Sequence, residues 1–295
     1  MTNKPDNPNQ PDQPKNRVPY VSPLGRGFPS EPQPSTPTNQ NPTLPLILRT
    51  YTPARVGLGR TGPSVPTTEQ LRFQLDHALA RDAVHAHLNV PALLRALQQR
   101  KLAALAVQSA VTVDPQQDAR QLYLRRPDLG RTLHPQSVQA LQQLSANSNE
   151  KPEIVFIIAD GLSALAIERH ALPLLDATID LLNPDQSRIG TICIVTQARV
   201  AIGDEIGQLL QAQLTVTLIG ERPGLSAPDS LGVYITWQPR PGRTDAERNC
   251  ISNIRNEGLS YAEAAQRILF YINGAKQLQC TGIRLKENTA LSGQK

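Results

Sequence analysis

Polar residues and glycines follow three apolar runs of this sequence, and such positions can bind a ligand. They occupy residues 160–163 (DGLS), 199–200 (RV) and 220–224 (GERPG). Glycines in the last segment let the backbone approach a ligand closely and Pro223 fixes the turn, so Glu221 can hold a carboxylate at the mouth of a crevice. Asp160 can either cap the following helix or bind a ligand, and Glu221 can instead pair with a nearby arginine. The sequence leaves these alternatives open.

Other arrangements that could do chemistry are incomplete. His77, His85 and His87 invite a metal hypothesis, but no carboxylate partner is visible, which favours ordinary surface or packing histidines. The glycine-rich segment 54–63 (ARVGLGRTGP) has no strand before it and no Lys-Ser/Thr after it, which favours a structural turn over a phosphate loop. Neither GxSxG nor GxGxxG follows the first apolar run, so a hydrolase nucleophile and a standard dinucleotide site are both disfavoured.

Three runs rich in valine and isoleucine must position the polar segments. They span residues 154–158, 189–195 and 214–219, and helical patterns follow the first two. Continuous apolar runs indicate strands buried on both faces, as in a parallel sheet with right-handed crossovers. The predicted fold class is therefore α/β, a Rossmann-like parallel sheet domain, with a further strand at 232–237. Ligands of such sheets bind beyond the carboxyl ends of the strands, where the polar segments lie.

The remaining patterns predict an N-terminal helical region and a last helix. One helix should begin at Thr67, with a capping box to Gln70 and with Leu71, Leu75 and Leu79 on one packed face. Further predicted elements are helices at 91–105 and 135–144, a short strand or turn at 122–133, and a final helix whose capping box joins Ser260 to Glu263.

Composition separates a tail from the ordered part of this chain of 295 residues. Residues 1–46 hold nearly half of the prolines and almost no apolar cluster, which predicts a disordered tail, either a plain tether or an address peptide. The predicted domains are therefore this tail, a helical region at 47–150 and an α/β domain at 151–295. No window is apolar enough to span a membrane and no signal peptide is recognisable, which predicts a cytoplasmic protein.

Charge and cysteine content restrict the function further. The net charge is +5, but the arginines are scattered and few aromatic residues accompany them, so nucleic-acid binding is weakly supported. Cys193, Cys250 and Cys280 lie far apart without metal-ligand spacing, which predicts reduced thiols.

Six segments of the sequence occur together in one known family, in this order and at similar spacing. They are ARVGLGRTGP, LYLRRPDLGR, ADGLS, ARVAIGDEIG, LIGERPGL and CISNI. Across residues 47–286 the chain thus resembles the small subunit (light chain) of bacterial ethanolamine ammonia-lyase. The resemblance implies a subunit of an adenosylcobalamin-dependent carbon–nitrogen lyase that converts ethanolamine to acetaldehyde and ammonia by a radical mechanism.

The same resemblance implies partners and a location. The large subunit of the family is a TIM barrel that carries the substrate pocket, and the small subunit closes over the base-on cobalamin at the interface. The implied assembly is a trimer of dimers of heterodimers, without nucleic acid or membrane. A bacterial microcompartment within the cytoplasm is one location that the family allows.

Three cofactor contacts of the family carry over onto matching positions of this chain. They are Val200 in ARV, Glu221 in GERPG and Cys250 in CISNI. Amide side chains rim the corrin ring, so a fixed carboxylate at Glu221 could accept their N–H bonds, as could backbone around Val200. Cys250 would supply a small, soft wall and is not expected to bind cobalt. The resemblance implies no catalytic residue and no metal ligand on this chain.

Two functions of other classes remain as alternatives to a cofactor-holding subunit. The topology alone would permit a free-standing α/β binding module for a nucleotide-like ligand. A hydrolase is the third candidate, and it lacks a recognisable nucleophile constellation.

The sequence predicts how the cobalt would be coordinated. Proteins that replace the dimethylbenzimidazole of cobalamin with a histidine use a DxHxxG motif, and no such motif occurs here. We therefore expect the bound cofactor to keep its own base. Electron spin resonance of the cobalt should show coupling to the cofactor's nitrogen, and coupling to a protein histidine would contradict this prediction.

Overall fold

The computed structural model describes residues 44–52, 54–111, 118–148, 150–182 and 187–286. The tail predicted at 1–46 therefore lies almost entirely outside the described residues. The N-terminal part of the described chain is mainly helical. Its helices are α1 (Leu44–Tyr51), α2 (Thr67–His85), α3 (Val90–Gln99), α4 (Ala119–Arg125) and α5 (Pro135–Ala146).

Six strands of the described chain form one mixed sheet. They are β1 (Ala104–Gln108), β2 (Ile154–Ala159), β3 (Ile192–Thr196), β4 (Leu214–Gly220), β5 (Leu231–Trp237) and β6 (Asn249–Ile254). Their spatial order is β1-β3-β2-β4-β5-β6, in which the first four are parallel and β5 and β6 each run antiparallel to the preceding strand. The predicted α/β class and its parallel core are thus confirmed.

Helices cover the sheet on both faces. Every residue of β2 and β4 is therefore buried. After β2 come α6 (Ala164–Ala166), a π-helical turn (Ile167–Ala171) and α7 (Leu172–Leu181); α8 (Ile202–Leu209) follows β3, and α9 (Tyr261–Leu278) follows β6. One face packs against α3, α7 and α9, and the other against α5 and α8. The predicted capping box of Ser260 and Glu263 begins α9.

The N-terminal helical region departs from its prediction in several places. The helix α2 begins at Thr67 as predicted, but the predicted capping box with Gln70 is wrong, since Pro66 is the N-cap residue and no side chain caps the helix. The predicted packed face of α2 is wrong for the described chain: Leu71, Leu75 and Leu79 are exposed, whereas Ala80 and Ala83 are buried. Of the strand or turn expected at 122–133, the strand is wrong, because α4 extends to Arg125, and the turn is confirmed at residues 127–128 and in the 3-10 turn (Leu129–Arg131).

The helix expected at 91–105 ends early and its last residues become β1. Lys101 adopts a left-handed backbone conformation, with φ 59°, which breaks the helix after α3. Ala104 then pairs with Ile192 of β3. The sequence ALAVQ favours helix by its alanines, and pairing with a neighbouring strand overrides that local preference. The segment 47–150 therefore contributes a strand to the sheet, and the domain boundary near residue 150 stays a prediction.

A buried ion pair fastens α8 to the start of β6. Both guanidinium Nη atoms of Arg248 bind the Asp204 carboxylate, each at 2.6 Å, and Nη1 also donates to Thr236 of β5. Arg248 lies 3.6 Å from a second carboxylate, Asp245, whose side chain is 99% exposed. The Arg248–Asp204 pair is bidentate and shielded from solvent, whereas solvent screens the interaction of Arg248 with Asp245.

Removing one partner of this pair should destabilise the fold strongly. We expect Asp204→Asn to lower the free energy of unfolding by about 3–5 kcal/mol, because Arg248 would stay buried without a counter-charge. Asp245→Asn is the matched control and should change it by less than about 0.5 kcal/mol. Urea unfolding followed by fluorescence of Trp237, the single tryptophan, measures both. Equal effects of the two substitutions would refute the role of burial.

Candidate functional site

The carboxyl ends of β2 and β3 are held together by the carboxylate of Asp160. Its two oxygens accept backbone N–H groups of Gln197 and Ala198, at 2.9 and 3.0 Å. Arg120 of α4, which is fully buried, donates to the same carboxylate at 3.3 Å and to the carbonyl of Gly161 at 2.9 Å. Burial raises the pKa of Asp160, and the charge of Arg120 with the two N–H groups opposes that shift. The structure therefore gives Asp160 a structural role.

The turn after β3 is also fastened from α4 and the 3-10 turn. Buried Tyr123 donates its hydroxyl to the carbonyl of Ala198 at 2.7 Å, and the backbone N–H of Arg199 donates to Gly130 at 2.7 Å. Burial raises the pKa of Tyr123, which keeps the phenol a proton donor. These contacts unite segments LYLRRPDLGR, ADGLS and ARVAIGDEIG, so three motifs of the sequence build one rigid edge.

The crevice between the ends of β2 and β4, where nucleotides bind in related folds, is closely packed here. Gly161 has φ 55°, and a Cβ placed on it would lie 2.3 Å from the carbonyl oxygen of Gly220. The side chains of Arg120 and Asp160 occupy the buried space beside this contact. This packing argues against the nucleotide-binding alternative, because no phosphate could approach the backbone at this point.

Glu221 lies at the same edge, immediately after β4, and its side chain is fixed. The Ser230 hydroxyl and the backbone N–H of Asn253 both donate to its Oε2. The carboxylate packs over Gly232, where a Cβ would come within 2.9 Å of Oε1. No described residue donates a hydrogen bond to Oε1, so one oxygen is available to a ligand. The sequence left open an arginine as the partner of Glu221. Among the described residues, no arginine forms an ion pair with Glu221.

One face of β5 and β6 beside Glu221 is only partly covered, since Gly232 is buried but Tyr234 is half-buried. Tyr234, two residues after Gly232 and therefore on the same face, pairs in register with Cys250 of β6. Cys250 is exposed and its sulfur lies 3.4 Å from the hydroxyl of Ser252. Burial and the neighbouring Cys250 raise the pKa of Tyr234, so its phenol stays neutral. We call Glu221, Gly232, Tyr234 and Cys250 the open face.

Val200, the third predicted contact, belongs to a different element. It lies on the turn before α8, is half-buried, and packs against the same apolar cluster as Tyr234. The structure therefore places two of the three predicted contacts, Glu221 and Cys250, on one face, and the third on the turn beside that cluster. Their roles toward a cofactor stay predictions.

Sequence reasoning missed the residues that support these three. Tyr234 and Ser230 carry no motif, and a buried arginine such as Arg120 is contrary to its usual exposure. Asn253 offered one signal, because asparagine tolerates the left-handed conformation that it adopts here, with φ 61°. That conformation lies within β6, where a β-strand pattern alone predicts extended backbone.

Other candidate sites find no support in the described part of the chain. No three histidine, cysteine or acidic side chains converge there as metal ligands would, so His77, His85 and His87 form no such group. In the glycine-rich segment 54–63, Gly57, Gly59 and Gly62 have positive φ values, which is typical of the structural turn that the sequence favoured over a phosphate loop. Cys193, Cys250 and Cys280 form no disulfide among the described residues. None of the described helices is long and apolar enough to span a membrane.

Comparison with known proteins gives one consistent result. A family model described as "Ethanolamine ammonia-lyase light chain (EutC)" matches residues 45–286. A protein of Pseudomonas aeruginosa PAO1, named ethanolamine ammonia-lyase small subunit, is 48% identical over 258 residues, which are 86% of this chain and 92% of that protein. Proteins of the same name from Azotobacter vinelandii (48% over 257 residues, 87% and 92%) and Pseudomonas fluorescens Pf0-1 (51% over 248 residues, 84% and 88%) agree.

The match spans nearly the whole described chain and includes the rigid edge, Glu221 and the open face. The resemblance recognised in the six sequence segments is thereby confirmed, and this chain belongs to the ethanolamine ammonia-lyase light chain family.

Proposed function

We propose that this chain is the cofactor-holding small subunit of an adenosylcobalamin-dependent ethanolamine ammonia-lyase, which converts ethanolamine to acetaldehyde and ammonia. Membership of the family supports its place in an ammonia-lyase made of two kinds of chain. The observation that carries the cofactor assignment is the fixed carboxylate of Glu221, with one oxygen held by Ser230 and Asn253 and the other free.

The open face fits the rim of a corrin ring. Corrin amides present N–H donors, and Glu221 Oε1 is an unengaged anionic acceptor beside an apolar floor at Gly232. The phenol of Tyr234 is planar and neutral, and the thiol of Cys250 is small. A corrin ring could contact both side chains without burying another charge besides that of Glu221. Val200 would close the side nearest α8.

This chain would bind and orient rather than react. When bound, adenosylcobalamin supplies a cobalt–carbon bond that breaks homolytically, which no amino acid side chain offers. Glu221, Val200 and Cys250 would fix the position of the corrin, and the rigid edge built on Asp160 would keep that position from shifting. We assign no catalytic residue to this chain.

Because Cys250 is exposed, the open face alone would not exclude water from a bound cofactor, and a second protein surface would be needed. We therefore propose that the large subunit covers the corrin from the opposite side. Its TIM barrel, the trimer of dimers of heterodimers, and a location in the cytoplasm or in a microcompartment remain predictions from the family resemblance.

Co-expression tests the proposed function directly. The chain should co-purify with a co-expressed large subunit of ethanolamine ammonia-lyase, and the complex should release acetaldehyde from ethanolamine only when adenosylcobalamin is added. A stable monomer without corrinoid affinity would instead favour a free-standing binding module.

Replacing Glu221 should weaken cofactor binding without unfolding the complex. Loss of one charge-assisted hydrogen bond costs about 1–3 kcal/mol, so we expect Glu221→Ala to raise the Kd for cobalamin by about 5- to 150-fold. Equilibrium dialysis of the purified complex measures this constant. Glu150→Ala is the control, because Glu150 is exposed and precedes β2 at the opposite edge of the sheet. Unchanged affinity in the Glu221 variant would count against the proposed contact.

A further inference from the structure

A cavity of about 540 Å³ lies above the carboxyl ends of the strands, between α2 and the loop after β4. Its charged or titratable lining comes from Arg199, Arg222, Arg81, His77 and His85, and apolar residues complete it. None of its lining residues is acidic. We call it the arginine cavity. A cavity whose charged lining comes from three arginines favours an anionic ligand, because charges of one sign in a concave site raise the local concentration of counter-ions.

Two of these arginines have no carboxylate partner among the described residues. Arg55, Arg100, Arg120, Arg248 and Arg255 all form ion pairs. Within the described part of the chain Arg199 and Arg222 form none, whereas Arg81, the third arginine of the cavity, lies 3.6 Å from the carboxylate of Asp82. Arg222 is exposed and its side chain can adjust, whereas Arg199 is half-buried.

Arg199 is prepared for a ligand by its surroundings. Its guanidinium stacks on the ring of Tyr123 at 4.5 Å, and its backbone N–H is bound to Gly130. Its Nε is buried and has no hydrogen-bond partner. An unsatisfied buried donor costs free energy, which an acceptor in the cavity would recover once the side chain turned Nε toward it. A guanidinium held in this way presents a planar set of donors that suits two oxygens of a phosphate.

The arginine cavity adjoins the residues proposed to hold the corrin. Arg199 directly precedes Val200, and Arg222 directly follows Glu221, so each arginine is one Cα step, about 3.8 Å, from a proposed contact. Cobalamin carries one negative group outside its metal centre, the phosphodiester of its nucleotide loop. If the corrin lies on the open face, the nucleotide loop would extend past the edge of the ring, toward the neighbouring arginine cavity.

We propose that the arginine cavity is a phosphate-binding subsite in which Arg199 and Arg222 hold the phosphodiester of the cofactor. This inference rests on the proposed function and adds two binding residues to it. A free phosphate ion has the same chemistry and would occupy the same arginines, so the experiment must separate the two sources.

Binding of two corrinoids by the purified complex with the large subunit tests the proposal. Cyanocobalamin contains the phosphodiester, and dicyanocobinamide lacks the phosphate and the nucleotide. We expect Arg222→Gln, and more strongly the double variant with Arg199→Gln, to weaken cyanocobalamin binding by about 10-fold or more while changing dicyanocobinamide binding less than about 3-fold. Arg222→Lys should restore part of the affinity because it keeps the charge.

Controls separate this proposal from the proposed function. Glu221→Ala should weaken both corrinoids, because both retain the corrin amides. Arg95→Gln, an exposed arginine of α3 that does not line the cavity, should affect neither. Because Arg222 is exposed, its variant tests the site even if Arg199→Gln disturbs the turn. Losses that are equal for both corrinoids, or absent for both, would overturn the cofactor's phosphodiester as the ligand.

Inorganic phosphate tests the other source. If a free ion occupies the cavity, millimolar phosphate should raise the Tm of the wild-type complex and not that of the double variant, while the two corrinoids respond alike to the substitutions. That result would keep a phosphate site and remove its link to the cofactor. No response to phosphate and no selective loss of cyanocobalamin would refute the site altogether. If the complex binds neither corrinoid, the proposed function fails, and the phosphate titration alone decides whether the cavity binds an anion.

Discussion

The buried carboxylate of Asp160 is the interaction on which the functional edge of this protein depends. A charge in the interior is tolerated only when it is fully paired, and here Arg120 and the N–H groups of Gln197 and Ala198 supply that pairing. Because these partners come from α4 and from the turn after β3, one carboxylate fixes three segments that are distant in sequence. Tyr123 and Gly130 belong to the same network. Their hydrogen bonds to Ala198 and Arg199 hold the turn that carries Arg199 and Val200 in place.

This network also decides where a ligand can bind. In a parallel α/β sheet the default site is the crevice at the topological switch point, next to the end of the central strand β2. Asp160 and Arg120 fill that space, and the contact of Gly161 with Gly220 closes it. The accessible polar groups are therefore displaced to the antiparallel side of the sheet, where Glu221 and the open face lie. The proposed cofactor contacts therefore lie away from the crevice that nucleotides occupy in related folds.

An open binding face is consistent with a chain that works beside a larger partner. A small ligand would be enclosed by its own protein, whereas this face leaves Cys250 exposed and offers only one fixed carboxylate. If the open face holds the cofactor as proposed, its own binding energy would be modest, and a second chain would supply further contacts and exclude water. The family, named for its light chain, matches this division of labour between subunits.

The sequence by itself determined the α/β class, the three central strands, the last helix with its capping box, and, through six segments read together, the family. Apolar runs and capping residues act locally, so they can be recognised without the rest of the chain. Only the tertiary structure decided that ALAVQ is an edge strand, that Leu71, Leu75 and Leu79 face outward, and that Asp160 is structural. It also decided that Glu221 is held by Ser230 and Asn253 and that Arg199 stacks on Tyr123. These outcomes depend on contacts between residues far apart in sequence, and neither periodicity nor local propensity encodes such contacts.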